Sequence, residues 1–512
     1  MKLRPLHVYR HLFASVTDEM GQALRDSARS PNIKERLDFS CALLDAQGRL
    51  VAHAAFIPVH LGSAHLSVPA VLAEREIHAN EVIIVNDPHR GGTHLNDITV
   101  LTPLEHEGER LGYLLNRAHH ADIGGAAPGS MGGAADLFGE GFRMPPVVLM
   151  RDEQRVDAVW QLLLANVRDP RSTEADLHAQ LAALRRGAAR MSQLLARSGV
   201  AEFQQAMEEL FRYGDRFTRG LLQQWPSRTV TVEDHLDGPE SPRLRLRLQR
   251  KGQGLLLDFS GSSTQVPGGW NTHRAVATSA VFHLLQSLGD GALPETSGAL
   301  EALDIRLPKA SLLCSESPAG VALGNVETSQ RVVDLLLQAL DRLMPGKFPA
   351  ASQGSMNNLL FGGRRPDGSP FVTYETLGGG AGAGPLGPGA SAVQVHMTNT
   401  RNTPIEVLEW EQPVRVLRLA LRKNSGGKGK YRGGYGLIKE VAFLEPVTLT
   451  VAGTRRESAP PGAFGGGAGK TGLDRAYLRG RWHRLRAGEP LSLQPGDRIS
   501  IETPGGGGFG KV

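Results

Sequence analysis

Apolar residues recur at helical spacing near the start of the chain. Val8, Leu12, Val16, Met20 and Leu24 share one side of a helix predicted over residues 6–29. The pattern then shifts to short apolar or β-branched runs at 38–44 and 49–54, joined by the turn Asp45-Ala46-Gln47-Gly48. Further strands are predicted at 81–85, 98–104 and 111–116. From 157 to 225 the helical period returns, with Leu162, Leu163, Leu177, Leu181, Leu184 and Leu195 recurring and a break expected near Gly187 or Gly199. After Pro226 strands are expected at 229–232, 243–248 and 254–259, and helices at 275–288 and 326–343. Beyond Glu409 glycine-bounded β segments run to the end. The prediction is a mixed α and β (α+β) body of several layers with a β-rich C-terminal part. Soft boundaries near 225 and 408 divide it into an N-terminal α+β domain (1–225) with the candidate metal site, a central α/β domain (226–408) with polar loops, and a Gly-rich all-β domain (409–512). No repeat with a period of 20–50 residues is visible.

Composition narrows the function classes. The 512 residues are 40% hydrophobic and 21% charged, enough to bury a sizeable core. A net charge of +5 is thin for this length, and the basic residues have few aromatics beside them, so no nucleic-acid partner is expected. Two cysteines, Cys41 and Cys314, exclude a disulfide framework and a cysteine-based zinc finger. No apolar stretch reaches about 18 residues and the start carries no signal-peptide pattern, so a soluble cytoplasmic protein with no membrane partner is expected. Glycine stands out at 62 residues, clustered rather than periodic. Such density in a core-forming chain implies unusual loops or backbone packed close to something.

The chemistry concentrates in residues 86–125. Runs 98–104 and 111–116 flank the charged turn 105–110 and should pair as an antiparallel hairpin. With the turn centred near residues 107 and 108, Asp97 lies opposite about residue 118. His94 and Asp97 thus share one end of the hairpin with His119 and His120, and strand alternation lets only one of those two histidines join them. Two imidazoles and a carboxylate converging on a point suit a divalent metal with open positions; the competing reading is hydrogen bonding to loop backbone. Manganese, iron and zinc all fit these ligand types.

Three polar segments are candidates for recognising an amide substrate. Gly324-Asn325-Val326-Glu327-Thr328-Ser329-Gln330 opens a predicted helix, where such residues also act as simple caps. Residues 350–358, with Gln353 and Asn357, and 397–404, with Asn399, Arg401 and Asn402, are rich in directional hydrogen-bonding groups. Gly469-Lys470-Thr471 looks like the end of a P-loop, but Phe464 stands where the first glycine belongs and Pro460-Pro461 replaces the strand. Neither HExxH nor GxSxG is present.

Eight ordered blocks carry a resemblance: KERLDFSCALLDAQGRLVA (34–52), VNDPHRGGTHLNDITV (85–100), RAHHADIGGAAPGSM (117–131), GNVETSQRVVD (324–334), AASQGSMNN (350–358), HMTNTRNTPIEVLE (396–409), SGGKGKYRGGYG (425–436) and TPGGGGFG (503–510). Together they resemble the B-type subunit of ATP-dependent hydantoinases and 5-oxoprolinases, a family that also holds the metal-carrying subunit of acetone carboxylase. The resemblance implies an A-type partner that binds ATP and phosphorylates the carbonyl oxygen of a cyclic amide, and a B-type chain that completes ring opening by water attack, in a hetero-oligomer. ATP would then reach the reaction only through the partner. It implies metal ligands His94, Asp97 and His119, with His120 and Asp122 as orienters or proton carriers and Asp38 orienting substrate or water. Relatives usually carry Pro at Asn96 and often Tyr at His89. The alternatives are a subunit of an ATP-dependent acetone-carboxylase-like carboxylase, disfavoured by the compact length, and a non-catalytic scaffold for the A-type subunit.

Overall fold

The computed structural model describes residues 5–512. An N-terminal helix, Leu6–Ser27, packs along a long helix, Pro170–Ser198. Its buried stripe is Tyr9, Phe13, Val16, Met20 and Leu24; Val8 and Leu12 stay half-buried. The aromatic pair, one position along from the aliphatic one, buries more surface at the same helical spacing. The helical stretch 157–225 resolves into Asp157–Ala165, Pro170–Ser198 and Val200–Gln223. The break falls at Gly199, whose φ of +77° suits a residue without a Cβ. Gly187 lies inside the long helix instead, where a Cβ would sit 2.5 Å from the Met20 sulfur.

Beneath these helices lies an antiparallel sheet built from β1 (Phe39–Asp45), β2 (Leu50–Ala55), β3 (Glu81–Val85), β4 (Asp97–His106), β5 (Glu109–His119), β6 (Val147–Arg151) and β7 (Gln154–Arg155), in the order β2-β1-β5-β4-β3-β6-β7. The predicted hairpin is β4–β5, turning at Glu107 and Gly108, both with positive φ. A bulge between Leu104 and Glu105 shifts the register by one residue, so Asp97 pairs with His119 rather than with Ala118.

A four-stranded sheet (Thr229–His235, Arg243–Lys251, Gly254–Asp258, Leu303–Arg306) follows, backed by helix Ser329–Leu343, against which helix Arg274–Leu288 packs. Val447–Ala452 and Leu491–Leu493 join Asn358–Arg364 and Pro370–Thr376 in a third sheet, across the boundary expected near 408. A fourth, five-stranded sheet holds Val414–Arg422 and the four remaining C-terminal strands. One buried cluster joins Ala42, Leu44 and Val85 to Phe282, Leu285 and Leu293, so apolar packing also crosses residue 225. Among the described residues no helix is long and apolar enough to cross a membrane.

The glycine clusters form extended segments at 378–382, 425–434, 461–469 and 503–508 that lie side by side. Their backbones bond to one another: Gly380 N–H to Pro504 O, Gly434 N–H to Ala381 O, Gly427 N–H to Gly506 O, and Gly508 N–H to Gly467 O, all within 3.0 Å. A Cβ at Gly434 would lie 1.8 Å from the Ala390 carbonyl oxygen, and one at Gly506 would lie 2.0 Å from that of Ala381. Only glycine permits this approach. Gly434→Ala is therefore expected to cost about 1–3 kcal/mol or more, read as a lower denaturation midpoint in urea. Gly220→Ala, in an exposed helical position with nothing within 4 Å, should be neutral or stabilise the chain.

Candidate metal centre

His94, Asp97 and His119 meet where the hairpin's open end enters the core. Their relative exposures are 0%, 1% and 3%, so each polar atom must find a partner within the protein or from a bound species. One potential ligand atom from each lies within 4.8 Å of the other two. Asp97 Oδ1 is 3.1 Å from His94 Nε2 and 3.2 Å from His119 Nδ1. The His94 contact lies off the hydrogen-bonding direction, leaving both of its ring nitrogens without a bond, and His119 Nε2 is likewise unpartnered. The His94 ring, buried and without a hydrogen bond at either nitrogen although Nε2 sits 3.1 Å from Asp97 Oδ1, fits a divalent cation shared with the carboxylate better than a self-satisfied loop.

Burial by itself would raise the Asp97 carboxyl, but His94, His60 and His119 outweigh it and hold the carboxyl well below the usual carboxylate range. Burial pushes His119 down, against the pull of Asp38 and Asp97, which keeps a ring nitrogen free to bind a metal. The second oxygen of Asp97 is engaged separately: Thr93 Oγ1 donates to Oδ2 at 2.6 Å, and His60 Nε2 lies 3.0 Å from it. His60 was not singled out from sequence. It sits in a one-turn 3₁₀ segment, Pro58–His60, and meets Asp97 only through the fold.

A small cavity opens beside the trio, lined by Asp38, Ile57, Val59, His60, Asp97, His119, Asn325, Val326, Met356, Tyr374, Thr376 and Thr398. Among the substrate candidates, Asn325 reaches it, and its buried Oδ1 has no hydrogen-bond partner. Asp38 also reaches it, 3.7 Å from Arg36. Tyr374 forms one wall, its ring stacked 4.7 Å from His119 and its hydroxyl donating to Asn358 Oδ1 at 2.8 Å. Sequence reasoning passed over Tyr374 and Thr376 because both lie in an ordinary strand, Pro370–Thr376.

The other candidates support this wall rather than face the cavity. Glu327 accepts from Met356 N–H, Asn358 Nδ2, Thr454 N–H and the Thr454 hydroxyl, tying the π-helical turn Gly324–Thr328 to the third sheet. Burial pushes its carboxyl up to about 7 against those donors. The Ser329 hydroxyl donates to Asn325 O, Gln353 Oε1 accepts from Asn357 Nδ2, and Asn357 Nδ2 also donates to Leu377 O. Asn402 Nδ2 donates to Thr376 O and the Arg401 N–H to Arg36 O; the side chains of Asn399 and Arg401 are exposed.

His120 and Asp122 do not join the trio. The alternation sends His120 to the other face, with Nε2 3.0 Å from Gln180 Oε1. Asp122 accepts from the backbone of Gly124, Gly129 and Arg168 and pairs with the Arg168 guanidinium at 2.7 Å. Both line an open cleft of about 880 Å³, which Tyr374 also lines. His89 packs against His273, 5.3 Å away, outside the trio. Asn96, at the position where relatives usually carry Pro, donates to His120 O and Gly129 O and joins two loops.

Comparisons with known proteins agree with this architecture. An uncharacterized protein of Methanocaldococcus jannaschii is 39% identical over 97% of this chain and 88% of its own length. The 5-oxoprolinase 1 of Arabidopsis thaliana is 35% identical over 99% of this chain, which spans only 41% of that protein. The crystal structure of the ATP-dependent caprolactamase from Pseudomonas jessenii superposes with a TM-score of 0.91 at 28% identity, covering 99% of this chain and 90% of that one. Residues 4–512 match the model for hydantoinase B/oxoprolinase, and the chain belongs to that family.

Proposed function

We propose that this chain is the ring-opening component of an ATP-dependent cyclic-amide hydrolase, acting on a ring whose carbonyl oxygen an A-type partner has phosphorylated. The observation that carries this reading is the buried, hydrogen-bond-deficient trio His94, Asp97 and His119, opening onto a cavity with an unpartnered amide at Asn325. Support also comes from the likeness to an ATP-dependent caprolactamase and to a 5-oxoprolinase of which this chain spans about two fifths.

The residues divide the work. A divalent ion held by His94, Asp97 and His119 supplies Lewis acidity, lowering the pKa of water and polarising a bound oxygen. The cavity as it stands has room for about one water, so the ring enters only as its walls part, and Asn325 Oδ1, without a partner in the chain, is then available to a donor on the bound molecule. Thr376 and Thr398 present hydroxyls to the same space and are linked through Thr400 Oγ1, at 2.7 and 3.2 Å. Asp38 takes the proton released as water adds to the ring carbon and returns it to the nitrogen as the C–N bond breaks, which leaves an acyl phosphate that a second water cleaves to the carboxylate and inorganic phosphate. Tyr374 and Met356 close the cavity and exclude bulk water, while His120 and Asp122 shape the approach from the outer cleft.

Metal analysis tests the centre directly. The purified chain should carry near-stoichiometric manganese, iron or zinc by mass spectrometry, and Asp97→Ala should lose it. Cyclic-amide turnover by the reconstituted complex should fall on the order of 10²–10³-fold in the same variant. Retention of full activity by His94→Ala and Asp97→Ala would leave a scaffold for the A-type subunit instead.

Nucleotide assays test the division of labour. The chain alone should release no phosphate from ATP, whereas amide hydrolysis should need ATP and the partner without bicarbonate. ATP turnover by the isolated chain would overturn the proposal, and strict bicarbonate dependence would replace hydrolysis with carboxylation.

A further inference from the structure

We infer that His60, together with Thr93, is a positioning residue that restricts Asp97 to binding a metal through one oxygen. The inference rests on the metal reading above and concerns residues outside its ligand set. Ionised Asp97 only accepts hydrogen bonds, with about two lone-pair sites on each oxygen. The Thr93 hydroxyl donates to Oδ2 at 2.6 Å, and His60 Nε2 lies 3.0 Å from the same atom. Because that partner is a pure acceptor, the His60 proton sits on Nε2. Nδ1 is then the acceptor, 3.2 Å from the Ser40 hydroxyl. Both sites on Oδ2 are thereby filled. Oδ1 alone is directed between His94 and His119.

The arrangement has a chemical consequence. Chelation through both oxygens would require breaking the Thr93 or the His60 bond, each buried where no water compensates its loss. A one-oxygen Asp97 gives the cation three protein ligand atoms and leaves the remaining positions for water and substrate. The elements involved anchor the clamp. Val59 N–H donates to Met397 O, fixing the Pro58–His60 turn against the loop that carries Thr398. Ser40 lies on β1, which pairs with β5, the strand ending at His119. The clamp thus ties the ligand carboxylate to both walls of the cavity, which His60 itself lines.

The test is manganese(II) titration of the full-length chain, followed by the electron paramagnetic resonance signal of the bound ion, with thermal melting of the metal-free proteins as a folding check. His60→Ala should weaken Mn²⁺ binding about 10–100-fold and change the spectrum as Oδ2 is released. His60→Gln, whose side-chain amide can donate from nearly the position of Nε2, should bind and look like the parent chain. Equal binding and spectra for His60→Ala and the parent would overturn the clamp while leaving the metal reading intact. Equal losses in the Gln and Ala variants would also overturn it, since His60 would then act through packing. A parent chain that takes up no Mn²⁺, Zn²⁺ or Fe²⁺ would overturn the metal reading and the clamp with it.

Discussion

A carboxylate in the interior sets the terms for everything around it. Asp97 is 1% exposed, and a bare ionised group there would cost far more than a folded chain can tolerate. The sequence answers with four residues from three segments: His60 from a one-turn helix, Thr93 and His94 from the loop before β4, and His119 from the end of β5. Three of the four are imidazoles, which can answer the charge by protonation or by sharing a cation with it. The His94 ring favours the second solution, because its Nε2 lies 3.1 Å from Asp97 Oδ1 yet is not aligned to donate to it.

The opposite wall of the cavity depends on a different constraint, the contact of backbone with backbone. The loop carrying Gln353 and Asn357 is held by Gly507 N–H bonding Ala351 O and by Gln353 N–H bonding Gly380 O. A Cβ on Gly382 would lie 1.9 Å from the Ala350 carbonyl oxygen. Polyamide segments stacked this closely satisfy one another's N–H and C=O groups without forming a pleated sheet, and glycine at the points of contact is what lets the backbones approach. The glycine clusters thus supply a rigid base for a polar loop that would otherwise bear too many unpaired groups. They act on the site through Asn357 and Asn358, which reach Leu377 O, Glu327 and the Tyr374 hydroxyl.

These two constraints explain what could be read from the sequence. The hairpin was legible because apolar alternation and a charged turn are local signals, and alternation correctly separated His119 from His120. Its register was one residue off because nothing local announces the bulge at Leu104 and Glu105, and that bulge is what sets His119 opposite Asp97. The first helix was legible in extent but not in face, since aromatic positions Tyr9 and Phe13 outcompeted Val8 and Leu12 for the core. His60 and Tyr374 escaped notice because their roles arise from contacts 37 residues apart in one case and more than 250 in the other. The glycine segments showed their abundance but not their purpose, because the atoms they approach lie tens of residues away along the chain.

The two walls come from distant parts of the chain, and that separation bears on specificity. The trio and its clamp derive from residues 58–119, whereas Asn325, Met356, Tyr374, Thr376 and Thr398 come from 325–398. In the proposed function, metal binding draws on the first group and ring recognition mainly on the second, and the two touch where Tyr374 stacks on His119. A change at Tyr374 would therefore bear on a ligand as well as on the ring. The apolar members, Ile57, Val59, Val326 and Met356, offer shape but little direction, so discrimination between rings falls mainly to the polar ones. In the proposed function Asn325 is the most exacting of these, because its buried Oδ1 has no partner within the chain and only a donor on the bound molecule would satisfy it.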